Sequence, residues 1–129
     1  DDDERVLVLT ADLAAARQAR DWAAEVLAEW SLDTMAADIQ LILSELVANT
    51  VIHTEAAESI VGLRYAGDHL RVDAYDAWPT FEYHFDPDPS RPSGLGLAIV
   101  GNIATRWGIA PHLTGKSVWC EVAVSRPAS

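Results

Sequence analysis

Cysteine, methionine and lysine are nearly absent, with one of each in 129 residues. The lone Cys120 has no partner for an internal disulfide, and within VWCEVAV it alternates like a packed strand residue. Basic side chains are scarce too, 9 against 20 acidic, for a net charge of −11. Setting aside Asp1, Asp2, Asp3 and Glu4 still leaves 16 acids against 9 bases, so the acidity is not confined to one end. Such a surface repels a phosphate backbone at long range, and direct DNA or RNA binding is not expected. A bound nucleotide stays open, because a few oriented amides and a Mg²⁺ ion can hold phosphates locally. The 4 histidines are scattered without zinc-ligand spacing. No apolar run approaches the ~18 residues of a membrane span, so no membrane association is expected, and no repeat suggests a solenoid. The chain opens on DDDE, the opposite of a basic signal-peptide start. The expectation is a cytoplasmic domain, trimmed or belonging to something longer.

What is present points to one folded domain over 1–129, with residues 1–4 outside the ordered part. Half of the chain is apolar and 22% is charged, enough for a single core. RVLVL reads as a first strand, and Thr10 or Asp12 is placed to cap a helix running to about Trp30. Its inward face is expected at Leu13, Ala16, Arg20, Ala23, Leu27 and Trp30. A second helix is expected from Thr34 to His53, burying Met35, Ile39, Ile42, Leu43, Leu46 and Val47. Ser59 to Tyr65 and Leu70 to Asp76 alternate around an Ala-Gly-Asp turn, which predicts a hairpin. Residues 77–93 hold Pro79, Pro87, Pro89 and Pro92, a long loop of the kind that is usually functional. GLGLAIVGNIATRW predicts a helix entered through glycines, with Leu97, Val100, Ile103 and Trp107 inward. A last hairpin is expected around Thr114, Gly115 and Lys116. The order β-α-α-β-β-loop-α-β-β implies an α+β two-layer sandwich with helices on one face of a mixed, mostly antiparallel sheet.

Four features can carry chemistry. Glu45, Asn49 and His53 are spaced i, i+4, i+8 and form a polar stripe on an apolar helix. A carboxylate there can take a proton and an amide oxygen can ligate Mg²⁺, although a solvated helix edge has the same pattern. Asp76 ends a strand, where it can accept from an exocyclic amino group or simply start a turn. Ser93-Gly94-Leu95-Gly96-Leu97 opens a helix, where free amides face any anion present. It is neither a Walker A loop nor a dinucleotide fingerprint. Gly115-Lys116-Ser117 reads as an ordinary turn with a solvated cation.

The order of these features, from Arg5 to Val124, resembles the GHKL ATPase superfamily and within it the anti-sigma-factor serine/threonine kinases. SELVANTVIH is similar to that family's N box, DAWP to the first glycine box, SGLGLAIV to the second and GKSVWCEV to the third. The resemblance implies Glu45 as general base and Asn49 as the Mg²⁺ ligand bridging to the phosphates of ATP. It implies Asp76 as the adenine-specific carboxylate, helped by Ser117 through a shared water. Gly94, Leu95, Gly96 and Leu97 would lie against the phosphates, beneath an ATP lid at 77–93. The sequence departs from the family's DxGxG, with Trp78 and Thr80 in place of the two glycines, and the lid carries Glu82, Asp86 and Asp88 against Arg91.

Two functions remain in view. One is a Mg²⁺-ATP-dependent protein serine/threonine kinase, working as a homodimer, that regulates a sigma factor through an anti-anti-sigma partner of the STAS type. The other is a partner-binding module with a degenerate ATP site that acts without nucleotide.

Overall fold

The computed structural model describes residues 3–53, 58–76, 100–112 and 115–124, with the backbone alone described at 49–53 and 76. The elements are β1 (Asp3–Thr10), α1 (Ala15–Glu29), a 3-10 turn (Asp33–Met35), α2 (Ala36–His53), β2 (Glu58–Ala66), β3 (His69–Asp76), β4 (Arg106–His112) and β5 (Gly115–Ala123). Residues 100–103 are helical as well. The strands form one five-stranded sheet in the order β1-β2-β3-β5-β4, and every pairing is antiparallel. This is the α+β architecture expected from the sequence.

Strand alternation decides which side chains meet the helices. Leu9, Val61, Leu63, Leu70, Val72, Ala74, Val118, Cys120 and Val122 are buried with the apolar faces of α1 and α2. All six apolar positions expected along the second helix are buried, although Met35 belongs to the 3-10 turn before it. The expected face of α1 holds at Ala23 and Leu27, with Ala16 and Trp30 packed against the core, but not at its start. Leu13 precedes the helix and is 95% exposed, whereas Ala15, Ala19, Ala23, Val26 and Leu27 are buried. Small residues along this stripe let α1 approach α2 closely. Polar links hold the same junction, with Arg20 donating to Ser44 Oγ at 3.0 Å and Gln40 donating to the Arg20 carbonyl at 3.0 Å.

The ends of α1 follow from local chemistry. Asp12 accepts from the Ala14 amide at 2.8 Å ahead of the first turn. At the other end Ser31 adopts φ 59, the Leu32 amide bonds to the Leu27 carbonyl at 2.8 Å, and the Ser31 amide bonds to the Ala28 carbonyl at 3.1 Å. These paired bonds are a Schellman closure, and Leu32 and Leu27 are both buried against it. The β2–β3 turn uses Gly67 at φ 67 where a two-residue hairpin needs a left-handed residue.

Three expectations need correction. β1 begins at Asp3, so Asp3 and Glu4 pair with Tyr65 and Arg64 instead of lying outside the ordered part. Arg5 bonds to Asp3, and the Trp30 indole donates to Asp3 at 2.9 Å, fixing the start of the edge strand to the end of α1. Trp107 is a strand residue opposite Cys120, not part of the preceding helix. Lys116 is only 1% exposed and lies within β5, because the alternation of Val118, Cys120 and Val122 extends back to it.

On the face away from the helices, Arg71 and Arg106 approach the Trp119 ring at 4.7 and 5.7 Å. Gly108 lies against that ring, where a Cβ would come within 3.1 Å and the ring would have to give by a few tenths of an ångström.

Candidate functional site

Topology brings the end of α2, the end of β3 and the start of β5 toward one end of the sheet. α2 ends at His53 and β2 starts at Glu58, so the last turn of the helix and the start of that strand are four residues apart. Antiparallel pairing puts the end of β3 beside the start of β2, and the start of β5 beside the end of β3. Glu45 and Asn49 lie on α2 and Asp76 at the end of β3, as the sequence places them.

Glu45 is half-buried, and its carboxylate makes no hydrogen bond or ion pair with any described residue. A carboxylate without a structural partner is chemically available as a proton acceptor. Nearby polar groups on α2 are already engaged, since Ser44 Oγ donates to the Gln40 carbonyl at 2.8 Å. Asn49 and His53 follow one and two turns beyond Glu45.

The sheet supplies the other wall. Along the helix-facing side, successive cross-strand rows are Leu63, Val72, Cys120, then Val61, Ala74, Val118, then Ser59, Asp76, Lys116. The first two rows are apolar and buried, and the third is polar across β2, β3 and β5, with the apolar Leu9 of β1 beside Ser59. Ser59 is 0% exposed, and its hydroxyl has no hydrogen-bond partner among the described residues. Leaving a buried hydroxyl unsatisfied costs about 1–3 kcal/mol, so an interior strand serine in this state calls for an explanation.

Ser117 is one position out of step with this row. It pairs with Tyr75, and its hydroxyl is 2.8 Å from His112 Nε2. The Tyr75 and His112 rings meet edge to face at 5.4 Å. Lys116, rather than Ser117, is therefore the β5 residue in register with Asp76. Gly94, Leu95, Gly96 and Leu97, together with the expected lid at 77–93, lie outside the described residues.

Sequence reading missed Ser59 and misjudged Lys116. Extending the alternation of VWCEVAV back by two residues would have put Lys116 on the inner face. For Ser59 the available signal was its place two residues before Val61 on a buried strand face.

Comparison with known proteins follows this geometry. A family model described as the histidine kinase-like ATPase domain matches residues 9–120. Among solved structures, the chain is similar to the RsbU and RsbW domains of Rv1364c from Mycobacterium tuberculosis, with 27% identity and a TM-score of 0.75. That match covers 98% of this chain but 34% of the other, so the chain spans about a third of that protein's length. A second similar structure is the histidine kinase domain of the blue-light activated histidine kinase EL346 from Erythrobacter litoralis. It shares 22% identity with a TM-score of 0.49, over 70% of this chain and 45% of that one. A search of curated proteins gave no match.

Proposed function

We propose, from the premise that this chain belongs to the histidine kinase-like ATPase domain family, that it binds Mg²⁺-ATP and phosphorylates a serine of an anti-anti-sigma partner. In this reading the unphosphorylated partner competes with a sigma factor for the domain, as in the anti-sigma-factor kinases its motifs resemble. The observation that carries the reading is the half-buried Glu45 carboxylate on α2, which has no hydrogen bond or ion pair among the described residues.

The donor chemistry of these residue types suits such a ligand. The Asn49 carboxamide oxygen would hold Mg²⁺, a hard cation that prefers oxygen ligands. When bound, the ion neutralises charge on the phosphates, which is most of what phosphoryl transfer asks of a catalyst besides positioning. Glu45 accepts the proton of the attacking serine hydroxyl. As it does so, the serine oxygen bonds to the terminal phosphorus and the bond from that phosphorus to the leaving diphosphate breaks. Asp76 accepts a hydrogen bond from the exocyclic amine of adenine. Gly94, Leu95, Gly96 and Leu97 supply backbone amides toward the phosphates. Ser117, whose hydroxyl also bonds to His112, supports Asp76 through a shared water.

The same reading takes 1–129 as one domain with its lid at 77–93, acting as a homodimer in the cytoplasm. No described helix is long and apolar enough to cross a membrane. The rival reading, a partner-binding module indifferent to nucleotide, draws on Trp78 and Thr80, which replace the glycines of DxGxG.

Incubation with labelled Mg²⁺-ATP and anti-anti-sigma proteins of the STAS type separates the two. Phosphoserine on the partner is expected, with Glu45→Gln slowing transfer by about 10²–10⁴-fold. A partner that binds equally with and without nucleotide and is never labelled would establish the rival.

A further inference from the structure

The polar row at the end of the inner sheet face contains a residue to which no role has been given. Ser59 forms the last pair of the β2–β3 ladder, with Leu9 on β1 to one side and Asp76 on β3 to the other, two residues from Val61 and four from Leu63. Both of those are buried core residues, and a β-branched apolar side chain would continue their face. The chain instead places a hydroxyl there, fully buried and with no hydrogen-bond partner among the described residues. It caps no helix and closes no turn, so local backbone chemistry does not account for it. Directly opposed residues on antiparallel strands have Cβ atoms about 5 Å apart, which puts a serine hydroxyl within reach of an opposing carboxylate.

We propose that Ser59 is a positioning residue for base recognition, donating its hydroxyl hydrogen to the Asp76 carboxylate when a nucleotide occupies the crevice. The inference rests on the reading of this crevice as a nucleotide site and adds to it the group that sets the carboxylate's orientation. A carboxylate accepts several hydrogen bonds. One taken from Ser59 fixes its plane and leaves an oxygen for the amino group of a 6-aminopurine. A 6-oxopurine presents an acceptor to that oxygen and is repelled. The serine therefore contributes to selectivity for adenine over guanine without touching the base.

Paired titrations of the native domain, Ser59→Ala and Ser59→Thr with Mg²⁺-ATP and Mg²⁺-GTP test this, each protein being checked by thermal melting. The native domain and Ser59→Thr should prefer ATP. Ser59→Ala should lose about tenfold of that preference, the size expected for one hydrogen bond to a charged group. A serine that merely fills space predicts otherwise: Ser59→Ala would melt at the same or a higher temperature with the ATP-to-GTP ratio unchanged. That result overturns the proposal and leaves the nucleotide site standing. A folded native domain that binds neither nucleotide removes both.

Discussion

Replacing Ser31 with glycine should stabilise the domain. Ser31 is the one non-glycine residue with positive φ among those described, at 59, and it closes α1 through two amide bonds of 2.8 and 3.1 Å. An L-residue in this conformation carries a penalty of roughly 1–2 kcal/mol from its Cβ, which glycine lacks. Glycine also has more freedom to lose on folding, about 0.5–1 kcal/mol, and this offsets part of the gain. The net expectation is a stabilisation of about 0.5–1 kcal/mol. For a domain of this size that is a rise of about 2–4 °C in thermal midpoint. Ser31→Val is the opposite control, because a branched Cβ worsens the clash and should lower the midpoint by more than that. Urea titration with an unchanged m-value would confirm that the native cap, not the unfolded ensemble, is responsible. If Ser31→Gly melts at or below the native temperature, the helix does not close in the way described.

Two further predictions concern titrating groups. The Trp30 indole hydrogen bond, followed by the Arg5 hydrogen bond, holds the Asp3 carboxyl below its ordinary value of 3.8. A lowered carboxyl favours the folded state above the ordinary value and loses that contribution as pH falls through the folded one. Midpoints measured from pH 6 to 2 should therefore drop less steeply below pH 4 for Asp3→Asn than for the native chain. Cys120 is fully buried, and burial pushes its thiol from 9.0 up to about 12. The native thiol should resist iodoacetamide at pH 8 and react once the domain is unfolded. Because the unfolded thiol ionises first, stability should also fall as pH rises past 9, and less so for Cys120→Ala.

Much of the fold was legible because periodicity and packing agreed. Met35, Ile39, Ile42, Leu43, Leu46 and Val47 repeat at helical spacing and are buried, and the β2–β3 hairpin carries plain alternation around the Gly67 turn. Errors arose where one pattern ran into another. Trp107 continues the 3–4 spacing of Val100 and Ile103, yet Thr105 bonds to the Glu121 carbonyl at 2.9 Å and draws the chain into β4. Leu13 fits the helical wheel but lies before the first turn. Lys116 follows a turn-like Thr-Gly pair, and only the pairing of β5 with β3 puts it inside.

The site divides in a similar way. Glu45, Asn49 and Asp76 are candidates on the order of motifs along the chain, since no single spacing distinguishes them from a solvated edge or a turn. Ser59 carries no motif. Its significance appears only when three strands are laid side by side and the inner face changes from apolar to polar across a single row.

The most direct test of nucleotide binding is calorimetric titration of the native domain with Mg²⁺-ATP, with Asn49→Ala as the paired control. Saturable heat near one nucleotide per chain is expected from the native domain, and none from the variant. A folded native domain that gives no heat would contradict it, leaving the family's fold without the family's ligand.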